Sequence, residues 1–455
     1  MVPVLTPDEM AAVDAAAPEP TEVLIERAGA AVARAALDML GGAYGRRIVV
    51  VAGKGNNGND GRAAAGRLRR RGVHVTVIPA VEAPARLAAA DLVVDAAYGT
   101  GFRGRYDPPD PGGAPVLAVD IPSGVDGLTG RADEGGAVAA DRTVTFAAYK
   151  PGLLFPPGRG LAGRVELADI GLDVSGATAH VVEEEDVAAW LPTRPLDSHK
   201  WRAALMVVAG SPGMTGAAHL AAGAAQRAGA GMVRVATPGL HPDPGLPTEA
   251  VGIAVPSAGW DEAVLGGLDR IHALVLGPGL GRTAPTVTAV HHVASGAPVP
   301  LLVDGDGLAA LGDAAPSILG RRDAPTVLTP HDGEYARLAG HPPGDDRIAA
   351  ARHLAAATGA VVLLKGSTTV VADPGGRVLL STAGDARLAT AGTGDVLSGL
   401  IGALLAQGLP AIQAAAAGAW IHGRAAARGP ARGLVASDLV TALPAVASGL
   451  AGEDG

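Results

Sequence analysis

Short apolar runs recur along the chain and alternate with segments of helical spacing or with glycine-rich turns. The run Arg46–Ala52 ends in Ile-Val-Val-Val-Ala, which is typical of a strand buried on both faces. Residues 7–39 place apolar side chains at helical spacing with a break at Pro18 and Pro20, which predicts two helices before the first strand. The alternation predicts a parallel, doubly wound sheet of the Rossmann-like kind, with strands near 46–52, 73–78, 91–95, 115–119, 142–146 and 164–168.

The pattern changes near Val181–His199, where the acidic run 183–186 is followed by two prolines. Such a shift is typical of a domain boundary, and we place the two domains at 1–182 and 183–455. The alternation of strands and helices begins again in the second domain, which predicts a second α/β fold. Its strands are expected near 204–209, 232–237, 250–254, 271–276, 299–303, 325–329, 360–364 and 368–372, with surface loops near 239–249 and 341–346.

The stretch 390–408 carries the most distinctive chemistry of the chain. Small residues, Thr-Ala-Gly-Thr-Gly, lead directly into an apolar helix, and the carboxylate of Asp395 stands at the junction. Free N–H groups and the positive end of a helix suit a phosphate, which a carboxylate would repel. The most economical role for Asp395 is therefore to accept a proton from a hydroxyl that attacks the phosphate.

Composition narrows the possible functions. With 455 residues, 48% of them hydrophobic and 18% charged, the chain has enough apolar surface for two ordinary cores. The formal charge of −9 argues against a general nucleic-acid-binding surface. The absence of cysteine excludes disulfides and cysteine nucleophiles and fits a reducing compartment. The N-terminus lacks a signal-peptide pattern, and polar residues interrupt the most apolar window, 396–421, so we expect a cytoplasmic protein without a membrane span.

The first domain has polar loops at the ends of three strands. The first strand is followed by the glycine-rich segment Gly53–Gly61, which we expect to be a turn, with positive φ or close backbone approach, that opens a helix at Arg62–Arg71. Two later strands end in Asp95 and Asp120. Because the carboxyl ends of parallel strands converge, these loops can share a ligand, although each aspartate alone also fits a helix cap. Such Asn, Asp and Ser oxygens suit an alkali or alkaline-earth cation.

These motifs resemble the NAD(P)H-hydrate epimerase domain. The match is carried in order by LIERAG, GNNGNDG, DAAYGTGFRG, VDIPSGVDG and TFAAYKPG, and it spans nearly all of residues 1–175. The resemblance implies a potassium (K⁺) site at Asn57, Asp95 and Ser123. It also implies contacts with a hydrated nucleotide at Asn56, Asn57, Gly58, Asn59, Asp60, Gly99, Thr100, Gly101, Phe102, Arg103, Gly104, Arg105 and Asp120.

Asn59 stands where the commoner family loop has glycine, and asparagine tolerates the left-handed φ that such a loop would need. Asp120 is the favoured proton-transfer residue, with Lys150 as the second candidate.

Polar residues also follow four strands of the second domain. They belong to the motifs GPGLG, DGDGL, TPHDGE with His331, and KGSTT with Lys365. Taken singly, His331 fits a satisfied polar residue at a strand end, and Lys365 fits a solvated charge. Because the topology brings these strand ends to one face beside Asp395, together they predict the transfer of a phosphoryl group onto a hydroxyl.

This half resembles the ribokinase-like superfamily and, within it, the nucleotide-dependent NAD(P)H-hydrate dehydratases. The match runs from about residue 198 to 445 and adds SHK, VAGS, TGAA, LATAGTGDVLSG and HG to the motifs above. The resemblance implies a ribokinase-like α/β/α fold that uses ADP or ATP with Mg²⁺. It implies contacts with the hydrated nucleotide at Ala217, Gly279, His331 and Asp395, and with ADP at Lys365, Gly366, Ser367, Thr368, Thr369 and Gly394.

The sequence departs from the dehydratase pattern at Trp201 and Ala204, where glycine is usual, and at Asp385, where asparagine is usual. The whole predicts an enzyme that acts on hydrated NADH and NADPH (NADHX and NADPHX), with epimerisation in the first domain and phosphorylation followed by elimination in the second. A small-molecule kinase fused to a non-catalytic binding domain is the alternative. We expect a homo-oligomer with no nucleic-acid or membrane partner.

Overall fold

The computed structural model describes residues 1–102, 104–240 and 243–450. The chain forms two compact units, which we call the N-terminal unit (Val2–Ala179) and the C-terminal unit (His180–Gly455 together with Met1). Strand β8 (Ala179–Val181) contains the point at which the chain passes from one unit to the other.

The N-terminal unit contains a six-stranded parallel sheet, and helices precede and follow the first strand of that sheet in the sequence. Its strands are β1 (Val2–Val4), β2 (Arg47–Ala52), β3 (His74–Pro79), β4 (Leu92–Ala96), β5 (Val116–Val119), β6 (Arg142–Phe146) and β7 (Arg164–Ala168). Its helices are α1 (Pro7–Ala15), α2 (Thr21–Leu40), α3 (Asn56–Arg70) and α4 (Gly158–Leu161).

The six longer strands of this unit pair in the order β3-β2-β4-β5-β6-β7, and all neighbours are parallel. The chain thus adds β3 on one side of β2 and the remaining strands on the other, which is a doubly wound, flavodoxin-like order. Helices α2 and α3 pack together and bury one face of the sheet. The doubly wound parallel sheet predicted from the alternation is confirmed.

Helix α3 begins at Asn56, six residues before the helix start expected from the sequence. The glycine-rich segment is therefore mostly helical, and three of its four glycines, Gly53, Gly58 and Gly61, are required by close packing rather than by positive φ. A Cβ on Gly58 would lie 2.0 Å from the carbonyl oxygen of Gly53, and one on Gly61 would lie 2.5 Å from the Cβ of Ala96. Asn59 lies inside the helix, so the left-handed conformation expected for it is wrong.

The C-terminal unit contains a larger sheet with helices on both faces. After β8, its strands are β9 (Ala204–Val208), β10 (Met232–Ala236), β11 (Val251–Ile253), β12 (Ala273–Leu276), β13 (Leu301–Val303), β14 (Thr326–Leu328), β15 (Val361–Leu364), β16 (Thr369–Ala372) and β17 (Val378–Ser381). Its helices are α5 (Glu184–Trp190), α6 (Thr215–Arg227), α7 (Trp260–Gly266), α8 (Ala284–Gly296), α9 (Asp306–Leu311), α10 (Ala315–Leu319), α11 (Asp332–Ala339), α12 (Arg347–Thr358), α13 (Thr393–Ala406), α14 (Ala411–Arg428) and α15 (Ala436–Leu450).

Taken across the sheet, strands β9 to β17 pair in the order β17-β16-β15-β14-β13-β12-β9-β10-β11. The pairs from β15 through β9 to β11 are parallel, and β16 and β17 continue the sheet as antiparallel strands. Helix α13 packs on α6, on α14 and on the central strands β9 and β12. The carboxyl ends of β9 and β12 to β15 therefore meet at one edge of the sheet, where the first turn of α13 also lies.

All fourteen strands expected from the apolar runs are present, within about two residues at each end. Strands β1, β8 and β17 were not expected; β1 and β8 contain only three residues each, and β17 follows a tight Asp-Pro-Gly-Gly turn. The described parts of both predicted surface loops, 239–249 and 341–346, contain no helix or strand. Among the residues that the structure describes, no helix is both long and apolar enough to cross a membrane.

We expect Gly399→Ala to lower the free energy of unfolding of the C-terminal unit by about 1–3 kcal/mol. A Cβ at this position of α13 would lie 2.0 Å from the carbonyl oxygen of Ala221 in α6, so one helix must move. Urea denaturation measures the effect. The matched control is Gly266→Ala at the end of α7, where no atom lies within 4 Å of the added Cβ; equal loss in both variants would contradict the prediction.

Candidate active sites

A cavity of about 740 Å³ lies in the N-terminal unit, beyond the carboxyl ends of β2 and β4. These two neighbouring strands flank the point where the chain order reverses, which is where ligands bind in doubly wound sheets. The lining includes the start of α3, the loop after β4 and the acidic and basic side chains of Asp14, Lys54, Asp60, Arg62, Asp120 and Lys150.

Lys150 and Asp120 form an ion pair at this cavity, in which the lysine is buried and the aspartate is partly exposed. Lys150 is 1% exposed, and its Nζ donates to Asp120 Oδ1 at 2.5 Å and to Thr145 Oγ1 at 2.9 Å. Asp120 has a φ of 65°, which is uncommon for a residue with a side chain and is often found at functional sites. Its Oδ2 lies 3.8 Å from the position that a Cβ on Gly99 would occupy, so glycine leaves space beside this carboxylate.

Asp60 lies in the first part of α3 and is 8% exposed. Burial, together with the nearby charges of Asp120 and Asp14, raises the pKa of Asp60 to about 8. The described residues offer Asp60 no hydrogen-bonding or ion-pair partner for its side chain. The carboxyl group therefore stays largely protonated at neutral pH beside the ionic pair of Asp120 and Lys150.

The structure brings two of the three predicted potassium ligands into contact. Ser123 Oγ donates to Asp95 Oδ1 at 2.7 Å, and the Ser123 backbone N–H donates to Asp95 Oδ2 at 2.8 Å. Burial raises the pKa of Asp95, and no Lys or Arg in the described part of the chain forms an ion pair with it. The side-chain Oδ1 and Nδ2 of Asn57 are buried without a hydrogen-bond partner among the described residues. A buried carboxylate and an unsatisfied amide oxygen are donors that fit a potassium ion.

The other predicted contacts of this unit are divided between the cavity and its surroundings. Those that line the cavity are Asn56, Asn57, Asp60, Gly99, Thr100, Gly101, Phe102 and Asp120. Gly58 instead packs against Gly53, and Asn59 Oδ1 accepts a hydrogen bond from Arg62 Nη1 at 3.2 Å. Gly104 and Arg105 do not line the cavity, and the exposed Arg105 pairs with Asp107 at 2.9 Å. Arg103 lies outside the described residues.

Asp304 is the centre of the candidate site in the C-terminal unit. It follows β13, is 3% exposed and accepts hydrogen bonds from Lys365 Nζ at 2.6 Å, Thr329 Oγ1 at 2.8 Å and Ser398 Oγ at 2.7 Å. Burial alone would raise the pKa of Asp304, but the Lys365 ammonium holds it below its usual value. Lys365 is thus an ion-pair partner and not a solvated charge; it connects the end of β15 to Asp304 after β13, and Asp304 is in turn bonded to Ser398 of α13.

Asp395 lies in the first turn of α13, beside this pair. Burial and the neighbouring charge of Asp304 raise the pKa of Asp395 to about 6, against the opposing effect of Lys365. Gly392 precedes the helix with a φ of 88°, which favours glycine. The Cβ position of Gly394 lies 3.5 Å from Lys365 Nζ, so the turn presents its backbone directly to the lysine.

His331 and Glu334 begin α11 at the end of β14. His331 Nδ1 accepts hydrogen bonds from the backbone N–H groups of Gly333 and Glu334, and Glu334 Oε2 accepts from the His331 N–H at 2.9 Å. This capping box orients the imidazole, while the 7% exposed Glu334 acts electrostatically on Lys365. His331 is therefore both a helix cap and a neighbour of the predicted nucleotide site.

The remaining predicted contacts surround the same strand ends. A Cβ on Gly279 would lie 2.9 Å from that of Ala217, so the loop after β12 touches the start of α6. Arg347 Nη2 donates to the carbonyl oxygen of Lys365 at 2.7 Å and lies 3.1 Å from the Cβ position of Gly366, and so fixes the loop after β15. Ser367 and Thr368 continue this loop, and Thr369 begins β16.

Two family models together match most of the chain. The model described as NAD(P)H-hydrate dehydratase matches residues 205–445, and that described as YjeF-related protein N-terminus matches residues 21–89 and 79–152. The bifunctional NAD(P)H-hydrate repair enzyme Nnr of Mycobacterium leprae (strain TN) is 43% identical over 90% of this chain and 89% of its own. The chain belongs to this family of bifunctional NAD(P)H-hydrate repair enzymes. The Escherichia coli (strain K12) member is 36% identical over 88% of this chain and 84% of its own.

Solved structures match the C-terminal unit. The ADP/ATP-dependent NAD(P)H-hydrate dehydratase from Bacillus subtilis, co-crystallised with ATP and Mg²⁺, is 33% identical, has a TM-score of 0.52 and covers 59% of this chain and 97% of its own. A ribokinase-like superfamily protein from Enterococcus faecalis V583, 23% identical with a TM-score of 0.52, shares the fold. The ribokinase-like fold expected for this half of the repair enzyme is confirmed.

The departures from the family pattern have local explanations at two positions. The ring centroid of Trp201 lies 5.6 Å from the guanidinium carbon of Arg270 and 5.9 Å from Lys200 Nζ, so two cations pack on it. Asp385 caps a short 3₁₀ turn and forms a hydrogen-bonded ion pair with Arg387 at 2.6 Å. Asparagine could accept the same hydrogen bond but would not form the ion pair. Ala204 is fully buried at the start of β9, and nothing in the structure explains why alanine stands there instead of glycine.

Sequence reasoning did not assign four residues of these sites. Two of them lie inside the motifs described above. Ser398 comes one turn after Gly394, and Asp304 directly follows a strand, so the sequence pattern could have indicated both residues. His422 of α14 is 5% exposed, and burial lowers its pKa to about 4. Asp14, on α1, has the sequence context of an ordinary surface residue, and only the fold places it at the cavity.

Proposed function

We propose that the chain repairs hydrated NADH and NADPH in two steps. The N-terminal unit interconverts the two epimers of the hydrate, and the C-terminal unit dehydrates one of them at the expense of ADP or ATP. The observation that carries this proposal is the position of Asp395, a partly buried carboxylate at the start of a helix and next to the pair of Lys365 and Asp304. Such an arrangement supplies a base and an anion-binding turn at one point.

In the dehydration, Asp395 takes the proton of the hydroxyl on the hydrated ring as its oxygen attacks the terminal phosphate of the nucleotide. The new O–P bond forms while the bond from phosphorus to the rest of the nucleotide breaks, which yields AMP from ADP or ADP from ATP. The ring then loses phosphate and a proton from the adjacent carbon, and the double bond of the reduced cofactor is restored. The backbone of residues 392–395 and Lys365 stabilise the phosphoryl group as its charge redistributes.

Mg²⁺ bound together with the nucleotide would neutralise charge on the phosphates. Apart from Asp395, two carboxylates near the site already have partners: Asp304 accepts hydrogen bonds from Lys365, Thr329 and Ser398, and Asp306 accepts from Arg282 Nε at 2.7 Å and from the backbone N–H of Gly281 at 2.9 Å. The ion would therefore be held mainly by phosphate oxygens and water, as is common for this metal in nucleotide sites.

In the epimerisation, Asp120 is the proton-transfer residue. Its carboxylate lines the cavity of the N-terminal unit and is held by Lys150 and Thr145. Lys150 has the role of a positioning residue, because its three hydrogen bonds go to Asp120, Thr145 and the carbonyl oxygen of Phe146. The cavity volume of about 740 Å³ suits a dinucleotide fragment rather than a metal ion or water alone.

One assay tests the proposal. The protein is incubated with both epimers of hydrated NADH, K⁺, Mg²⁺ and either ADP or ATP, and the absorbance of NADH is followed. We expect full recovery of NADH from both epimers. No recovery with either nucleotide would reject the dehydratase function, and recovery from one epimer only would reject the epimerase function. Phosphorylation of the hydrate without elimination would favour the small-molecule kinase alternative.

We also propose that the N-terminal unit binds K⁺ through Asn57, Asp95 and Ser123. Asn57→Ala is expected to remove the dependence of epimerisation on K⁺ and to lower its rate at saturating K⁺ by at least about tenfold. Rates in KCl and in choline chloride at equal ionic strength measure this. Asn59→Ala is the control, because the Asn59 side chain bonds to the exposed Arg62 and is not part of the cavity lining. An unchanged K⁺ response in Asn57→Ala would contradict the site.

The homo-oligomeric assembly and the cytoplasmic location stay predictions from the sequence.

A further inference from the structure

Among the residues that the structure describes, three carboxylates line the cavity of the N-terminal unit, and of these Asp120 alone forms an ion pair there. Asp60 projects from α3 into the same cavity and has no ion-pair or hydrogen-bonding partner for its carboxyl group among the described residues. With an exposed fraction of 8%, it is far more enclosed than a surface carboxylate. Burying an ionised carboxyl group without a partner costs folding free energy, so such a group is usually neutral. A buried, unpaired carboxyl group in a cavity is therefore a candidate for a functional role.

The chemistry of the proposed epimerisation supplies such a role. Hydration of a dihydronicotinamide adds water across a carbon–carbon double bond next to the ring nitrogen, so the hydroxyl sits on a carbon that also bears nitrogen. The two epimers differ at that carbon. Inverting it through loss and return of the hydroxyl requires an acid on the departing oxygen and a base for the incoming water. One carboxylate fixed by a lysine cannot fill both roles at once.

We propose that Asp60 is the catalytic acid of the epimerase and works with Asp120 as the base; this inference rests on the proposed epimerase function. The Asp60 proton passes to the hydroxyl oxygen, the carbon–oxygen bond breaks, and the ring-nitrogen lone pair forms a carbon–nitrogen double bond as water leaves. A water molecule then adds to the other face and gives a proton to Asp120, while the electron pair returns to nitrogen. Exchange with solvent restores Asp60 and Asp120, and nothing is oxidised or reduced.

Position distinguishes Asp60 from the third carboxylate. Asp14 lies on α1, is exposed to solvent and is therefore at the edge of the cavity. Asp60 is enclosed, and its ionisation is opposed by burial first and then by the charges of Asp120 and Asp14, with Lys150 acting in the other direction. The other cations that line the cavity are Lys54 and Arg62. Asp14 thus acts on Asp60 through its charge, as a positioning residue at most.

The test uses the full chain and one purified epimer of hydrated NADH without nucleotide, so that only epimerisation proceeds. Asp60→Asn, which keeps the size of the side chain, is expected to lower the rate by about 10²–10⁴-fold, while Asp60→Glu restores part of it. Interconversion is followed by chromatography, and thermal unfolding checks that the unit is folded. An Asp60→Asn rate equal to wild type would overturn the inference, whereas a wild-type protein that cannot epimerise would reject the proposed function itself.

Two further measurements separate an acid from a structural residue. In ¹⁸O-water, the wild-type enzyme should place solvent oxygen in the hydroxyl at the rate of epimerisation; epimerisation without incorporation would overturn departure of the hydroxyl. The wild-type rate should fall as the pH rises through about 8, since Asp60 must be protonated. In Asp14→Asn, which removes one negative neighbour, that fall should move to lower pH. An unmoved profile would contradict the role of Asp60.

Discussion

Replacing Asp395 by asparagine is expected to lower the rate of nucleotide-dependent dehydration by about 10³-fold, within the range of 10²–10⁴ that a general base contributes. Asparagine has the shape of aspartate but cannot accept the proton of the attacking hydroxyl. Because the backbone of the helix start and Lys365 remain, the variant should still bind ADP. The measurement is recovery of NADH absorbance from the reactive epimer, with nucleotide binding followed by calorimetry.

The pH profile gives this prediction a second, independent form. A base must be deprotonated to act, and the pKa of Asp395 is raised to about 6, mainly by burial and by Asp304. The wild-type rate should therefore be constant above neutral pH and fall tenfold per unit below about pH 6. The residual activity of Asp395→Asn should lack this fall.

Two controls are built into the same chain. Epimerisation takes place in the other unit and should be unchanged in Asp395→Asn. Removing a negative charge that is opposed by Asp304 should leave the C-terminal unit at least as stable as before, so loss of folding cannot account for loss of rate. Full dehydratase activity in Asp395→Asn would require another base, and loss of ADP binding would mean that Asp395 supports the nucleotide instead.

The sequence predicted the strands of both sheets well because buried parallel strands are continuous apolar runs bounded by glycine-rich loops. It also predicted which loops converge, since parallel strand ends meet at one edge regardless of the details of packing. The same reasoning failed at residues 56–61. Glycine and asparagine have low helix propensity, but close packing of Gly58 on Gly53 and of Gly61 on Ala96 selects a helix that propensity alone would not favour.

The candidate sites show a similar limit. Asp395 could be found from its local sequence, because a carboxylate at a glycine-rich helix start is unusual in itself. The partnership of Asp304 with Lys365 joins positions 61 residues apart, and that of Asp60 with Asp120 depends on the placement of α3 over the sheet. No local sequence pattern marks such pairs of distant charges, so only the tertiary structure distinguishes a buried ionic centre from solvated side chains.

The second large effect is expected for Lys365→Met, which should lower the free energy of unfolding of the C-terminal unit by about 3–5 kcal/mol. Lys365 is the ion-pair partner of Asp304, which is 3% exposed, so the variant leaves a buried carboxylate with only two hydroxyl donors. Nucleotide-dependent activity should be lost as well. Urea denaturation measures the stability, and Arg282→Met is the matched control, because Arg282 pairs with Asp306 while 58% exposed. That control should cost about 0–1 kcal/mol.

The pH dependence of stability distinguishes the effect of the ion pair between Lys365 and Asp304 from that of packing of the lysine's aliphatic chain. In the wild type, Lys365 keeps the pKa of Asp304 below its unfolded value, so the stabilisation it gives is present above about pH 4 and is lost only as the pH falls further. In Lys365→Met, burial acts unopposed and raises the pKa of Asp304. The variant should then regain stability as the pH falls from 7 towards 5, since the neutral acid is tolerated in the core. Adding Asp304→Asn should remove that regain and restore part of the lost stability; a double variant as unstable as the sum of the two single changes would refute the coupling.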